Sequence, residues 1–248
     1  MAPVTKPKEE MRVGRKPRAV FYPESDGKPM AESPLHQELM IYSIVALKHF
    51  YANNPMAHVA GNNFLYYVEG NTKKSVSPDI YVVYGVRDWM RPTYKVWEEG
   101  GITPSVVIEI TSKSTRKEDR TTKFTLYEQV LRVNEYICYD STGDYLRPHL
   151  QGFRLEQGAY VRIPLENGDR IYSRNLGLCL VMQGESYRFL DPRNGELLKS
   201  PEETQEAYEQ ATRAYAETQQ AYEQTSKDPM HNKPFSQWAE YLNILPLQ

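Results

Sequence analysis

The sequence is poor in cysteine and in long apolar runs, and each shortage excludes a class of protein. Cys138 and Cys179 are the two cysteines among 248 residues, and they lack the CxxC spacing of a structural zinc site. Two isolated cysteines make no disulfide framework, so both are predicted to be free thiols in the core. The lack of a long apolar stretch predicts a soluble, cytoplasmic protein with no membrane partner and no signal peptide.

Net positive charge is also lacking. The formal net charge of −2 gives no overall attraction to nucleic acid, so any contact with DNA has to come from a local basic patch. Basic residues cluster in the first 18 residues and again between residues 113 and 123. The second cluster supplies the candidate contacts to a DNA backbone, which are Lys113, Arg116, Lys117 and Arg120.

A chain of 248 residues suits one large domain with appendages. Residues 1–18 are basic, contain proline and lack an apolar pattern, which predicts a mobile tail or, alternatively, an arm that touches DNA. Residues 19–198 carry the apolar patterns of a folded domain, and residues 199–248 form a helical C-terminal tail. We therefore predict three segments with these boundaries.

The C-terminal tail contains a seven-residue repeat in which tyrosine recurs at Tyr208, Tyr215 and Tyr222. Tyrosine at one seam position, with threonine or alanine at the other, makes a weak coiled-coil seam. The repeat therefore predicts a helix that packs on its own domain or is partly frayed or, alternatively, a helix that dimerises with a second copy.

The most informative stretch runs from Thr103 to Asp140. An apolar run at residues 106–108, continued by Ile110, predicts a strand that is buried on both faces. Apolar side chains at three- and four-residue spacing then predict a helix from about residue 118 to residue 131, before a second strand that ends at Asp140. This β-α-β order predicts two parallel neighbouring strands.

Other elements flank this unit. Ser33 is a predicted N-cap and Pro34 the first residue of an amphipathic helix that ends before residue 53. Strands are predicted at residues 58–67 and 80–84, which can pair as an antiparallel hairpin, and residues 87–101 are predicted to form a loop or a lid.

Short strands punctuated by glycine turns follow Asp140 and predict a β-meander. The sum of these elements is an α/β (α+β) fold. It has a mixed central sheet flanked by helices, with a C-terminal β-meander that covers the sheet and a helical tail beyond it.

Two carboxylates interrupt the apolar pattern, Asp79 just before a strand and Glu109 inside the central strand. A carboxylate in a central strand is costly unless it is paired or binds a metal. An Asp and a Glu that lie close together can share Mg²⁺, which prefers oxygen ligands and keeps several waters. The structural alternatives are that Glu109 is a buried acid paired with Lys123 and that Asp79 caps a turn.

The order of the polar residues resembles a nuclease family. Pro78-Asp79 followed by Glu109 on an apolar strand is similar to the PD-(D/E)xK nuclease superfamily. The segment from Tyr22 to His36, with its Asp-Gly turn and following histidine, resembles the N-terminal signature of the Uma-type family of predicted restriction endonucleases. The full set that resembles this family is Pro78-Asp79, Glu109-Ile110-Thr111-Ser112, Asp119, Lys123, Tyr127, Glu135-Tyr136 and Asp140.

One position departs from the superfamily pattern. The pattern places a lysine two residues after the acidic residue, where this chain has Thr111. Lys113 shares the strand face of Glu109 only if the strand continues, whereas Lys123 lies on the following helix. The resemblance implies that the lysine has moved to Lys123, with Lys113 or the loss of the lysine as alternatives. One face of this helix carries three side chains at spacing i, i+4 and i+8, which are Asp119, Lys123 and Tyr127.

The resemblance covers roughly residues 20 to 190 and implies a restriction-endonuclease-like fold with a metal-dependent DNA endonuclease activity. Asp79 and Glu109 would hold Mg²⁺ or Mn²⁺, and Lys123 would orient the attacking water or stabilise developing charge. Ser112 is predicted to cap the helix turn or to bind a water near the metal. His36 is predicted to be an exposed residue at a helix start, with a role facing the site as the alternative.

Cutting both strands of DNA requires two such domains to pair, so the expected partners are DNA and a second copy of the chain. The tyrosine repeat is the candidate dimer element. One alternative is a nuclease fold without turnover that binds nucleic acid or serves assembly. Another is a metal-dependent hydrolase that acts on RNA or on a nucleotide.

Overall fold

The structure is a computed structural model that describes residues 20–25, 33–111, 115–144 and 146–226. The described helices and strands in chain order are α1 (Pro34–Phe50), β1 (Ala57–Ala60), β2 (Leu65–Tyr66), β3 (Ser75–Val76), β4 (Ile80–Tyr84), β5 (Tyr94–Lys95), a 3₁₀ helix (Val96–Glu99), β6 (Val106–Thr111), α2 (residues 116–130), β7 (Glu135–Asp140), β8 (Leu150–Glu156), β9 (Ala159–Ile163), β10 (Arg170–Ser173), β11 (Leu178–Gln183), β12 (Ser186–Asp191), β13 (Glu196–Leu197) and α3 (Pro201–Ser226).

The central sheet has six strands in the order β1-β4-β6-β7-β8-β9. Strands β6 and β7 are parallel, from Val106 opposite Glu135 to Thr111 opposite Asp140, and the other pairs are antiparallel. A four-stranded sheet, β10 to β13, and a three-stranded sheet, β3-β2-β5, lie beside it. The predicted mixed α+β fold and the parallel pair are therefore confirmed.

Side chains of the central strands alternate between two apolar layers, because successive residues of a strand point to opposite faces. Ile108 and Ile110 pack in one layer with α1 and the four-stranded sheet, whereas Val107 and Cys138 pack in the other with Tyr127 of α2. Glu109 follows the alternation and therefore lies on the face that α2 covers. Cys138 and Cys179 are buried free thiols, as predicted.

The N-terminal helix follows the sequence closely. Helix α1 begins at Pro34 and ends at Phe50, and the Ser33 hydroxyl accepts a hydrogen bond from the His36 amide at 3.2 Å. The predicted N-cap is thus confirmed. This cap fixes the first turn of α1, and so it also fixes the position of His36.

The predicted strand at residues 58–67 is wrong, because the chain divides there into β1 and β2. A Cβ atom added to Gly61 would collide with the carbonyl oxygen of Asp79, so only glycine fits. The next residue, Asn62, has a positive φ of 54° and turns the chain out of the central sheet. The predicted hairpin holds for β1 and β4 alone, while β2 pairs with β3 and β5.

Helix α2 is present where it was predicted, but most of it is not regular α-helix. Asp119–Lys123 and Leu126–Val130 form π-helical turns, and the Leu131 amide donates to the carbonyl of Leu126, five residues back, at 2.9 Å. Such π turns are frequent at functional sites.

Residues 87–101 are a packed connection rather than a lid. They contain β5 and the 3₁₀ helix, and the buried Arg91 donates from Nε to Oε1 of Glu99 at 2.7 Å. The segment is joined to the domain by the pairing of β5 with β2 and by the hydrogen bond from the Asp88 amide to the Pro55 carbonyl at 2.9 Å.

Helix α3 contacts the domain near its start, where Arg188 Nη2 lies 2.6 Å from Oε2 of Glu203. Beyond that point Tyr208, Tyr215 and Tyr222 are 70%, 68% and 72% exposed, so the prediction that this seam packs on its own domain is wrong. None of the described helices combines the length and the apolar character needed to cross a membrane. Residues 1–18 and the end of the tail lie outside the described residues, so the predicted segment boundaries stay predictions.

Candidate active site

Asp79 and Glu109 lie together because β4 and β6 are neighbours. The register places Ile80 opposite Ile108, which brings the residue before β4 next to Glu109. Oδ2 of Asp79 accepts a hydrogen bond from the Ile110 amide at 2.7 Å, and the Asp79 amide donates to Oε2 of Glu109 at 3.4 Å. The strand pairing thus joins two carboxylates that are 30 residues apart in the chain.

Helix α2 adds a lysine to this pair. Nζ of Lys123 lies 2.9 Å from Oε2 of Glu109 and 3.2 Å from Oδ1 of Asp119. The hydroxyl of Tyr127 donates to Oε1 of Glu109 at 2.6 Å. The three helix residues predicted to share one face therefore do so, and two of them contact Glu109 directly.

The site is a buried cluster of charged side chains inside an apolar domain. The side chains of Glu109 and Asp119 are each 1% exposed, and that of Lys123 is 12% exposed. Burial raises the pKa of Glu109, and the neighbouring charges of Asp79 and Asp119 raise it further, while Lys123 opposes this shift. Although burial acts in the other direction, the charges of Glu109, Asp119 and Asp79 raise the pKa of Lys123 and hold it protonated.

His36 is buried at the site, so the expectation of an exposed residue at the helix start is wrong. Its Nε2 lies 3.3 Å from Oδ1 of Asp79, and its side chain is 8% exposed. Burial acts to raise the pKa of Asp79, but the contact with His36 and the charge of Lys123 lower it below its ordinary value. The resemblance of Tyr22 to His36 to a family signature was the one sequence signal for this position.

The carboxylate pair offers the oxygen ligands that Mg²⁺ or Mn²⁺ prefers. Among the described residues, no group of three or more His, Cys, Asp or Glu side chains is arranged to hold a metal. An ion at this site would therefore be held by Asp79 and Glu109, with water as the remaining ligands, which is a common arrangement for Mg²⁺. The residues fit such an ion if it displaces the contacts that His36 and Lys123 now make with these oxygens.

Two other acids of the resemblance lie outside this cluster. Glu135 pairs with Arg154, whose Nε lies 2.9 Å from Oε1, and Asp140 accepts hydrogen bonds from the amides of Thr142, Gly143 and Leu146 in the following loop. Both therefore hold strand ends in place and do not contact Asp79 or Glu109.

The remaining candidates are at the surface or beyond the described part of the chain. Lys117 and Arg120 are exposed on α2, where a phosphate backbone can reach them. Ser112, Lys113 and the side chain of Arg116 lie outside what the structure describes. The alternative lysine is therefore untested.

Comparison with known proteins supplies a family. The model of the Uma2 family, described as "Putative restriction endonuclease", matches residues 11–183. Among solved structures, the chain is similar to the crystal structure of "a putative nuclease belonging to DUF820" from Anabaena variabilis, at 14% identity and a TM-score of 0.43. That likeness covers 62% of this chain and 81% of the other. No curated protein matches the chain.

Proposed function

The chain belongs to the Uma2 family of restriction-endonuclease-like proteins, and on that basis we propose that it is a metal-dependent endonuclease that hydrolyses phosphodiester bonds in DNA. The observation that carries the proposal is the convergence of Asp79, Glu109 and Lys123. Lys123 Nζ lies 2.9 Å from a carboxylate oxygen of Glu109, and Asp79 is held beside that carboxylate by strand pairing.

Asp79 and Glu109 are the proposed metal-holding residues, with Mg²⁺ or Mn²⁺ as the ion. When bound, the ion supplies the polarisation of the phosphodiester and the activation of a water. The side chain of Asp79, at 15% exposed, is the more accessible of the two carboxylates, and Glu109 lies behind it at 1% exposed. A substrate would therefore approach from the side of Asp79.

Lys123 is the proposed catalytic cation. Glu109 and Asp119 hold its charge in place beside the carboxylate pair, where it would stabilise the negative charge that develops on the scissile phosphate. A fixed positive group in a site with little water stabilises such charge more strongly than it would in bulk solvent. Lys113 remains the alternative.

Two further side chains are proposed as positioning residues. Tyr127 orients Glu109 through the hydrogen bond to Oε1, and His36 orients Asp79 through its contact with Oδ1. Each carboxylate is thereby left with a defined direction. Asp119 plays the corresponding part for Lys123.

The proposed partners are DNA and a second copy of the chain. Lys117 and Arg120, exposed on α2, are proposed to contact phosphates of the DNA backbone. The exposed tyrosines of α3 are proposed to pair with the same helix of the second copy, because a tyrosine repeat of this spacing is otherwise left in water.

A second candidate function is a nuclease fold that binds nucleic acid, or serves assembly, without turnover. The observation in its favour is the closed state of the site. Protein groups already contact both oxygens of Glu109, through Lys123 and Tyr127, and both oxygens of Asp79, through His36 and the Ile110 amide. If these contacts do not open, the site binds no metal.

The two functions are separated by nicking of supercoiled plasmid in Mg²⁺ or Mn²⁺, measured beside binding of Mn²⁺ by calorimetry. The nuclease proposal expects nicking by the wild type that is lost in Glu109→Ala and in Lys123→Ala, with Lys48→Ala as the matched lysine control. Loss in Glu109→Ala alone would assign the lysine role to Lys113 or to no lysine. A wild type that neither nicks DNA nor binds Mn²⁺ would favour the function without turnover.

A further inference from the structure

An open groove with a volume of about 770 Å³ lies directly beside the candidate active site. One wall is helix α2, from Glu118 to Val130, and the other is the connection from Phe64 to Ser77 that contains β2 and β3. Lys123 lines this groove and also contacts Glu109, so the groove adjoins the carboxylate pair through Lys123.

The groove is positively charged, although the chain as a whole is not. The described residues that line it include three lysines, Lys73, Lys74 and Lys123, and one carboxylate, Glu118. Lys73 and Lys74 are exposed on the turn that joins β2 to β3. Lys123 is paired with Glu109 and Asp119, so the exposed cations of the groove are Lys73 and Lys74. In a chain with a formal net charge of −2, these two lysines mark the groove as a site for an anionic ligand.

The turn that carries these lysines is well ordered by hydrogen bonds. The Lys73 amide donates to the side-chain oxygen of Asn71 at 3.1 Å, and the Lys74 amide donates to the Asn71 carbonyl at the same distance. The Tyr67 amide closes the turn by donating to the Lys74 carbonyl at 3.1 Å. The backbone that carries the two lysines is therefore held in place along one wall.

The groove also has apolar and aromatic surface, which does not bind phosphates. Phe64 and Tyr67 are half-buried in the wall, while Val68 and Val130 are 41% and 57% exposed. Aromatic side chains beside lysines are typical of proteins that bind single strands, because bases stack on the rings while phosphates meet the cations. In a duplex the base faces are stacked on one another and cannot reach such rings.

We propose that this groove binds an unpaired strand of the nucleic-acid substrate. Lys73 and Lys74 contact its phosphates, Phe64 and Tyr67 contact a base, and the strand continues past Lys123 to the carboxylate pair. The inference rests on the proposed function for the chemistry at Lys123, but the binding of the strand itself depends only on the lining of the groove.

The charge part of the proposal is tested by fluorescence anisotropy of a labelled single-stranded DNA of 12 nucleotides in EDTA, where no metal-dependent cleavage occurs. The double variant Lys73→Ala with Lys74→Ala removes two groove cations. The matched control, Lys48→Ala with Lys199→Ala, removes two exposed lysines that do not line the groove. We expect Kd to rise about tenfold in the groove variant and to stay unchanged in the control.

The salt dependence gives a second readout. Loss of two phosphate contacts makes the negative slope of the log of the association constant against log salt shallower by about 1.4, since each contact to a single strand contributes about −0.7. Equal Kd values for the two double variants, or an unchanged slope in the groove variant, would overturn the proposal. So would a polyglutamate peptide of equal charge that competes as well as the strand does.

The preference for an unpaired strand is tested with Phe64→Leu, which keeps an apolar side chain but removes the ring. We expect at least a fivefold weaker binding of the single strand and no change for a duplex of the same length. Duplex binding that is as tight as single-strand binding in the wild type would refute this part.

These measurements separate the groove from the proposed activity. A wild type that binds the strand with the expected dependence on Lys73 and Lys74, but never nicks DNA, would support strand binding in the groove and refute the proposed nuclease activity. A wild type that nicks DNA, with the groove variant nicking equally well at limiting substrate, would retain the nuclease and refute the groove.

Discussion

Glu109 and Glu135 are buried glutamates on adjacent parallel strands, yet their surroundings differ in kind. Oε1 of Glu135 lies 2.9 Å from Nε of Arg154, and the carboxylate also accepts hydrogen bonds from the Ser173 hydroxyl and from the amides of Arg174 and Asn175. One negative charge there has a cation of its own and several neutral donors. Such a carboxylate is satisfied without any further ligand.

Glu109 shares its cation. Lys123 interacts with Asp79 and Asp119 as well as with Glu109, and burial of these acids concentrates negative charge around one lysine. The contact of His36 with Asp79 relieves this only in part. Burial of a carboxylate alone therefore does not identify a metal site. A buried cluster in which several carboxyl groups share one lysine is the arrangement that a divalent cation would complete.

The contrast between the two glutamates is tested by removing the charge of each in turn. Glu109→Gln keeps the shape of the side chain and leaves Lys123 its contact with Asp119, so we expect a smaller loss of stability than at Glu135. We expect nicking to fall by about 1000-fold, near 4 kcal/mol in the barrier. Plasmid nicking and urea unfolding of the same preparation measure the two effects. Unaltered nicking by this variant would remove Glu109 from the proposed site.

The corresponding change at Glu135 is expected to act on stability instead. Glu135→Gln leaves the half-buried Arg154 without its carboxylate, and breaking a buried ion pair costs about 3–5 kcal/mol. The urea midpoint should fall, while the nicking rate per folded molecule stays near that of the wild type. If nicking by the folded fraction fell as far as in Glu109→Gln, the distinction between the two acids would not hold.

The shared cation can be removed by Lys123→Met, which keeps the length of the side chain without its charge. Because Nζ of Lys123 contacts Oε2 of Glu109, a metal ligand in the proposal, we expect Mn²⁺ to bind this variant about tenfold more tightly, which corresponds to about 1.4 kcal/mol. We expect nicking to be lost. Calorimetry with Mn²⁺ reads the affinity without reference to activity. Weaker Mn²⁺ binding in this variant would mean that Lys123 does not compete with the ion.

The sequence predicts well those parts of the fold that local patterns determine. The apolar run before Glu109 and the Ser33-Pro34 helix start are local signals, and both elements occur where they were predicted. The strand at residues 58–67 was predicted wrongly because the approach of Gly61 to the Asp79 carbonyl is a tertiary contact. No alternation of side chains within that segment reveals it.

The candidate site shows the same division. The spacing of Asp119, Lys123 and Tyr127 placed all three on one helix face, which the contacts with Glu109 and Lys123 agree with. The burial of His36 could not be predicted from its place in a first helical turn, because its partner Asp79 lies far along the chain. The proximity of Asp79 to Glu109 depends on strand register and was indicated in the sequence only by the family resemblance.

The variant with the smallest expected effect, Tyr127→Phe, tests the orientation of the Glu109 carboxylate without changing its charge. Tyr127→Phe removes the hydroxyl that donates to Oε1 of Glu109 at 2.6 Å. The ring stays packed in the apolar core between α2 and the central sheet, and every charged side chain of the cluster stays in place. A hydrogen bond to a charged group contributes about 1.5–3 kcal/mol, so we expect nicking to fall by about 10- to 150-fold and Mn²⁺ binding to weaken by a similar factor. Tyr136→Phe is the matched control, because its hydroxyl donates to the Asp119 carbonyl at 3.0 Å rather than to a carboxylate. An equal effect of both variants on Mn²⁺ binding would show that Tyr127 supports the helix and does not orient Glu109.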